Sequence, residues 1–343
     1  MELVRPIIGG MTKSENDSAG EAALHSVPPD RQTQFETQPG RPIDITSWLL
    51  DEDFPIHPVG SKPKRVVTCP LTNAPFLISG HSYLFKIAKD RRATQMWSEV
   101  IAYRIAALVG LDVPPCFVAV NETTGEVGAL VEFFFGYPNE PQPSRLVHAA
   151  DLLQRFRTGP RTDRPHFVRM NLQIGRALKI DDVDWWARAL TFDALIGNTD
   201  RHPENWGWLV RRPESGEVEW RLAPIFDNGT SLGWEIQEDK LARATDPSRI
   251  ARYIRAGRHH VGWDRLTDSP TPHLELCHLF AQAYPAARAA MQQVIDFEST
   301  RIAPILEECA QLIVGVPFTP DRVRFVLALI EARKHELSAI MGA

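Results

Sequence analysis

Asp200, Asn205 and Asp227 constrain what this chain can fold into more than any other feature of its sequence. The first two lie in Gly197-Asn198-Thr199-Asp200-Arg201-His202-Pro203-Glu204-Asn205, and the third opens Asp227-Asn228-Gly229. Between them, Trp206 to Val210 and Val218 to Leu222 read as a hairpin around Pro213-Glu214-Ser215-Gly216. A hairpin returns the chain to where it started, so Asn205 and Asp227 are expected to face one cavity. An Asp, an Asn five residues on and a second Asp are the minimum set for phosphoryl transfer from a magnesium nucleotide. Asp200 would take the proton of the attacking hydroxyl, and Asn205 and Asp227 would hold the metal. Asp and Asn are also common in turns, where they bond locally. Two such loops in this order, joined by a hairpin, favour the catalytic reading.

The rest of the chain supplies an α+β, two-lobed frame for these loops. Arg65 to Thr68, Phe76 to Ile78 and Tyr83 to Ile87 are short β-prone runs, punctuated by Pro, Asn, Gly and Ser. A helix is expected over 94–109, with Trp97, Val100, Ile101, Ile105 and Leu108 at helical spacing and Gly110 ending it. Strands follow at Cys116 to Val120 and Gly128 to Phe134. Beyond Phe135-Gly136-Tyr137-Pro138 the pattern is helical, near 147–156, 167–179, 182–196, 247–257, 272–283, 285–310 and 319–341. The expected units are an extension over 1–45 with little hydrophobic periodicity, a small nucleotide-binding lobe over 46–136 and a helical catalytic lobe over 137–343.

Composition narrows the class. The formal charge of −5 gives no sign of direct nucleic-acid binding, and the four cysteines, Cys69, Cys116, Cys277 and Cys309, form no Cys-x-x-Cys pair. No apolar run approaches a membrane span and no signal-peptide pattern opens the chain, so the expected location is cytoplasmic, with a secreted effector as the other reading.

Lys86, in the middle of its strand, is the candidate grip on the nucleotide phosphates, with Glu99 on the next helix as its partner. Gly60-Ser61-Lys62 is the nearest candidate for a phosphate-covering loop, although the same tripeptide makes a plain turn. Glu132 and Phe133 would form the crossover whose backbone holds an adenine edge, and His202 would prop the loop around Asp200. His259 and His260 have no third ligand at metal spacing and read as surface or loop residues.

Residues 197–205 followed by Phe226-Asp227-Asn228-Gly229 resemble the HipA-like serine/threonine kinases, and more distantly the phosphatidylinositol 3- and 4-kinases. Further landmarks are similar over about 56–340: Gly60-Ser61-Lys62-Pro63-Lys64, Tyr83-Leu84-Phe85-Lys86, the helix from Trp97 to Tyr103, and Gly110-Leu111-Asp112-Val113-Pro114. The resemblance implies ATP and Mg2+ as cofactors, Asp200 as base, Asn205 and Asp227 as metal ligands, and Lys86 as the phosphate-contacting lysine. It implies Ser61 as a site of inactivating autophosphorylation. It also implies a protein substrate such as a translation factor or an aminoacyl-tRNA synthetase, and an antitoxin partner. Because 1–45 does not read as a folded β-subdomain, the likeness is to the shorter, core-only members. A small-molecule or phosphatidylinositol-type kinase, and a pseudokinase binding module, are the alternative readings.

Overall fold

The computed structural model describes residues 38–51, 64–138, 140, 142–154, 166–214, 216–264 and 270–342. The small lobe begins with β1 (Ile43–Asp44), β2 (Leu49–Leu50), β3 (Lys64–Thr68) and β4 (Ser82–Ile87). Helix α1 (Gln95–Leu108), β5 (Cys116–Asn121) and β6 (Glu126–Glu132) complete it. The six strands form one sheet in the order β1-β5-β6-β4-β3-β2, antiparallel except for the β1–β5 pair. Segment 52–63, which holds Ser61, joins the paired strands β2 and β3 and lies outside the described residues.

Of the extension expected over 1–45, residues 1–37 fall outside the described residues, but 38–45 belong to the fold. Gln38 takes the place of a strand neighbour: its side chain donates to Val118 O at 2.6 Å and accepts from Val118 N at 2.8 Å. Ile45 is buried, and its N–H donates to Val120 O. Strands as short as β1 leave no periodicity to read, and only their pairing with β5 defines them. The expected strand at Phe76 to Ile78 is instead a turn, closed by Leu77 N–H to Ala74 O. Its apolar residues are satisfied by packing, Phe76 on Phe117 at 5.3 Å, without joining the ladder.

Helix α1 is buried along most of its length, between the sheet and the large lobe. Two of its buried residues are charged, Glu99 and Arg104, so both need partners; Arg104 finds Glu308 at 3.2 Å. Strand β6 reaches β4 through Gly128. A Cβ there would lie 2.2 Å from Lys86 O, so the absent side chain is what lets the two strands close.

The large lobe contains β7 (Arg145–His148), α2 (Ala149–Leu153), α3 (Val168–Ala177), α4 (Val183–Ile196), β8 (Gly207–Arg211) and β9 (Glu219–Leu222). It continues through α5 (Glu238–Ala244), α6 (Pro247–Ala256), α7 (His273–Ala283), α8 (Arg288–Ile295), α9 (Ile302–Gln311) and α10 (Pro320–Gly342). Strands β7, β8 and β9 form a second sheet in that order, so the expected hairpin is present with an added strand at its edge. Helix α4 lies at the centre of the lobe, against α7, α8 and α10, and Gly197 ends it in the left-handed region at φ 71°. The single helical stretch expected over 285–310 is broken around Asp296 to Glu298. One straight helix could not pack its first half on α4 and its second half on α1, and two helices, α8 and α9, can. Among the described residues, no helix is long and apolar enough to cross a membrane.

Gly128→Ala should cost about 1–3 kcal/mol, because the atom met is backbone and the strand itself must move. A lowered urea midpoint with an unchanged slope is the expected result. Asp182, just before α4, is buried, and burial raises its pKa to about 7. Its carboxyl is therefore protonated in the folded state over a range where the unfolded chain ionises it, so stability should fall as the pH rises from about 4 to about 7. Asp182→Asn should be the more stable form at pH 8, with the advantage shrinking on acidification through that range; urea denaturation across the pH series measures it.

Candidate active site

Lys86 is the next-to-last residue of β4, not its middle, and reaches across to α1, where its Nζ contacts Glu99 Oε1, and to Asp227 Oδ1 at 3.0 Å. Burial works against the lysine's charge, but Asp227 and then Glu99 more than reverse this and hold its pKa above the ordinary value. The other Glu99 oxygen accepts the backbone N–H of Asn228 at 3.0 Å. One buried carboxylate thus fixes both the lysine from the small lobe and the Asp227-Asn228-Gly229 segment from the large one. Asp227 takes a left-handed backbone at φ 57°, uncommon for a residue with a side chain. Two residues on, Gly229 passes so close to Glu99 that a Cβ would sit 3.2 Å from its side chain.

The loop carrying Asp200 is tied to the same segment from below. Arg201, almost fully buried, donates to both oxygens of Asp193 on α4, Nε to Oδ2 at 3.0 Å and Nη2 to Oδ1 at 2.7 Å. It also donates to Asn205 O at 2.9 Å, to Phe226 O, and to Asn228 Oδ1 at 2.7 Å. Asn198 adds a bond from its amide to Asp193 Oδ1 at 2.9 Å, and its own Oδ1 accepts Asp200 N–H at 3.1 Å. Asn205 Nδ2 donates to Asp200 O at 2.7 Å, which turns the amide oxygen the other way. Thr230 Oγ1 lies 3.5 Å from Asp200 Oδ2, linking the two loops directly.

The structure therefore brings Lys86, Glu99, Asp200, Asn205 and Asp227 into one connected site. His202 stands beside Asp200: its Nδ1 accepts Glu204 N–H at 3.2 Å, so the proton is on Nε2, 3.9 Å from Asp200 Oδ1. Glu132 and Phe133 are used inside the small lobe. The Glu132 carboxylate meets the hydroxyls of Tyr83 at 3.2 Å and Tyr137 at 3.1 Å. Its N–H donates to Pro115 O at 2.9 Å, and Phe133 N–H donates to Ser82 O at 3.1 Å. Phe133 O also lies 2.6 Å from His81 Nε2, so the first crossover backbone beyond these bonds is Phe134 to Gly136. Phe134 stacks on Phe226, the residue before Asp227, at 5.2 Å.

His260 is exposed on its loop, as expected, but His259, in the same loop, is not a surface residue. His259 is wholly buried edge-on to His273 at 4.4 Å, and burial lowers its pKa to about 4. His260 lies 3.4 Å from His166, nitrogen to nitrogen, and its ring is 5.8 Å from that of His202. Trp206 Nε1 donates to His166 Nε2 at 3.0 Å, and burial, then His260 and His202, hold His166 well below its usual pKa. Sequence spacing could not pair these histidines, because they come from separate segments. Arg201 was visible in the motif, but its role depends on Asp193, whose position on α4 only packing settles. Among the described residues, no group of three or more His, Cys, Asp or Glu side chains could hold a metal ion by itself.

Arg201→Met would leave Asp193 charged, buried and without its partner, and should cost about 3–5 kcal/mol. A denaturant-based double-mutant cycle with Asp193→Leu is the check: the double variant should be less destabilised than Arg201→Met alone.

A family model described as the HipA-like C-terminal domain matches residues 58–300. The Sinorhizobium fredii protein Y4dM, which bears a kinase name, is 27% identical over 181 residues. That match covers 48% of this chain and 41% of Y4dM, less than half the length of either. The crystal structure of the Helicobacter pylori proinflammatory kinase CtkA superposes with a TM-score of 0.65 at 16% identity, over 88% of this chain and 96% of that one. HipA of Shewanella oneidensis MR-1, solved with HipB and its operator DNA, gives 0.44 at 18% identity over 82% and 63%. The likeness to CtkA shows the two-lobed kinase fold.

Proposed function

The chain belongs to the HipA-like family, and on that footing we propose that it is an ATP- and magnesium-dependent kinase acting on a serine or threonine hydroxyl of a protein. The observation that carries the reading is Lys86 held between Glu99 and Asp227, with Asp200 bound to the same segment through Arg201. Lys86 would hold nucleotide phosphate, fixed in place by Glu99. Asp227 and the amide oxygen of Asn205, whose Nδ2 is taken up by Asp200 O, would suit a magnesium ion, which takes one or two protein oxygens and fills its other positions with phosphate and water. When bound, that ion would neutralise charge on the transferring phosphate.

Asp200 would accept the acceptor's hydroxyl proton as the oxygen forms its bond to the γ-phosphorus. The bond from that phosphorus to the β–γ bridging oxygen breaks, and the diphosphate leaves with the electron pair. His202, with its proton on the nitrogen facing Asp200, would help to aim the carboxylate. Phe134 to Gly136 would meet the nucleobase. Family membership extends the proposal to an antitoxin partner and to self-phosphorylation at Ser61, in the segment between β2 and β3.

Incubation with γ-labelled ATP and magnesium, followed by phosphosite mapping, is the test. Asp200→Ala should lower transfer by about a hundredfold or more while nucleotide still binds. Asp227→Ala should abolish magnesium-dependent nucleotide binding, read by calorimetry with and without chelator. Label on a lipid or small molecule alone would replace the protein-kinase reading. Nucleotide binding without transfer to any acceptor would leave a pseudokinase.

A further inference from the structure

A cavity of about 480 Å³ opens beside Lys86, with Glu99, Ala129 and Gly229 in its walls. Its outer side is built by Lys89, Arg91 and Arg92, from the short link between β4 and α1. No residue of the crossover lines it. Phe133 N–H bonds to Ser82 O, so the crossover sits at the start of β4. Lys86 is four residues further along the strand, about 13 Å at the usual rise. A nucleotide with its base at the crossover and its phosphates at Lys86 spans that length. Lys89, Arg91 and Arg92 lie beyond, past the phosphate end.

The charge there is not what the chain's composition predicts. The protein carries −5 overall, yet this wall holds four cations, Lys86 included, against Asp90 and Glu99, and Glu99 is already bonded to Lys86. Lys89, Arg91 and Arg92 are exposed, and Arg92 also has a partner within the protein. Two adjacent guanidinium groups suit carboxylate or phosphate oxygens, which they can grip two at a time. Gly229 in the cavity wall is one residue from Thr230, whose hydroxyl lies 3.5 Å from Asp200 Oδ2, which ties the cavity to the loop of Asp200.

We propose that the outer side of this cavity is an anion subsite on the acceptor side: Lys89, Arg91 and Arg92 bind a carboxylate or phosphate on the polypeptide that receives the phosphoryl group. The inference rests on the kinase reading for the transfer step, but the binding site itself is separate from it. Serine peptides flanked by Asp and Glu, by phosphoserine, by Ala or by Lys and Arg serve as probes, and the first two arms separate the two anion sources.

With the full chain, the anionic peptides should be used about tenfold better in kcat/KM than the Ala-flanked one, with the preference shrinking as salt rises. Arg91→Ala/Arg92→Ala should raise KM for the anionic peptides about tenfold, leaving the Ala-flanked peptide and the nucleotide Kd within about twofold. Equal use of all peptides would overturn the proposal. So would a nucleotide Kd that weakens in step with KM, which makes the cations part of the nucleotide site. Loss of preference in Arg252→Ala/Arg255→Ala, on exposed positions of α6, with Arg91→Ala/Arg92→Ala unaffected, would move the reading elsewhere and also overturn it. Fluorescence anisotropy of the labelled peptides reads the site without turnover. Anionic-peptide binding that needs Arg91 and Arg92, with no transfer to anything, would sink the kinase reading and support the subsite.

Discussion

Arg201 and Asp193 form an ion pair almost entirely shielded from water, and the geometry of the site depends on it. Taking two charges out of water costs several kcal/mol each, so such a pair persists only when every hydrogen-bonding position is used. Arg201 makes five bonds, to both oxygens of Asp193, to two backbone carbonyls and to Asn228. Those partners come from α4, from the loop of Asp200 and from the segment of Asp227. A planar guanidinium has one arrangement that meets all of them, which converts a desolvation cost into a fixed relation among three chain segments.

Glu99 does for the two lobes what Arg201 does within one. It is buried on α1, and its two oxygens hold Lys86 on one side and the Asn228 backbone on the other. Asp227 accepts an unfavourable left-handed backbone between these anchors, and such strain survives only where the surroundings over-determine it. The bare backbones of Gly128 and Gly229 fit the same scheme, since a Cβ at the first would part β4 from β6 and one at the second would press on Glu99. The bonds of Glu132 and Phe133 belong to the lobe's own cohesion.

Much of this could be read along the chain. The Asp200, Asn205 and Asp227 spacing, the hairpin between them, and the order of strands and helix around Lys86 and Glu99 are local patterns. Local patterns are what periodicity and turn chemistry encode. Long helices such as α1, α4 and α10 repeat their signal over several turns, so their ends fall within a residue or two of expectation. The two-residue strands β1 and β2 carry no such signal and exist only through pairing. The break at Asp296 likewise has no local cause as strong as the need to bury apolar faces against α4 and α1 at once.

Sequence alone determined which residues are candidates for the proposed chemistry, because the atoms needed to bind phosphate, hold a metal and take a proton belong to few side chains. Only the tertiary structure decided how they are held. Arg201 meeting Asp193, Glu99 shared by Lys86 and Asn228, His166 against His260, and a cationic wall beyond Lys86 in an acidic protein all join segments far apart in the chain. Contacts of that kind follow from how buried apolar faces stack and from the requirement that each buried charge find a partner, and neither is written at any one position.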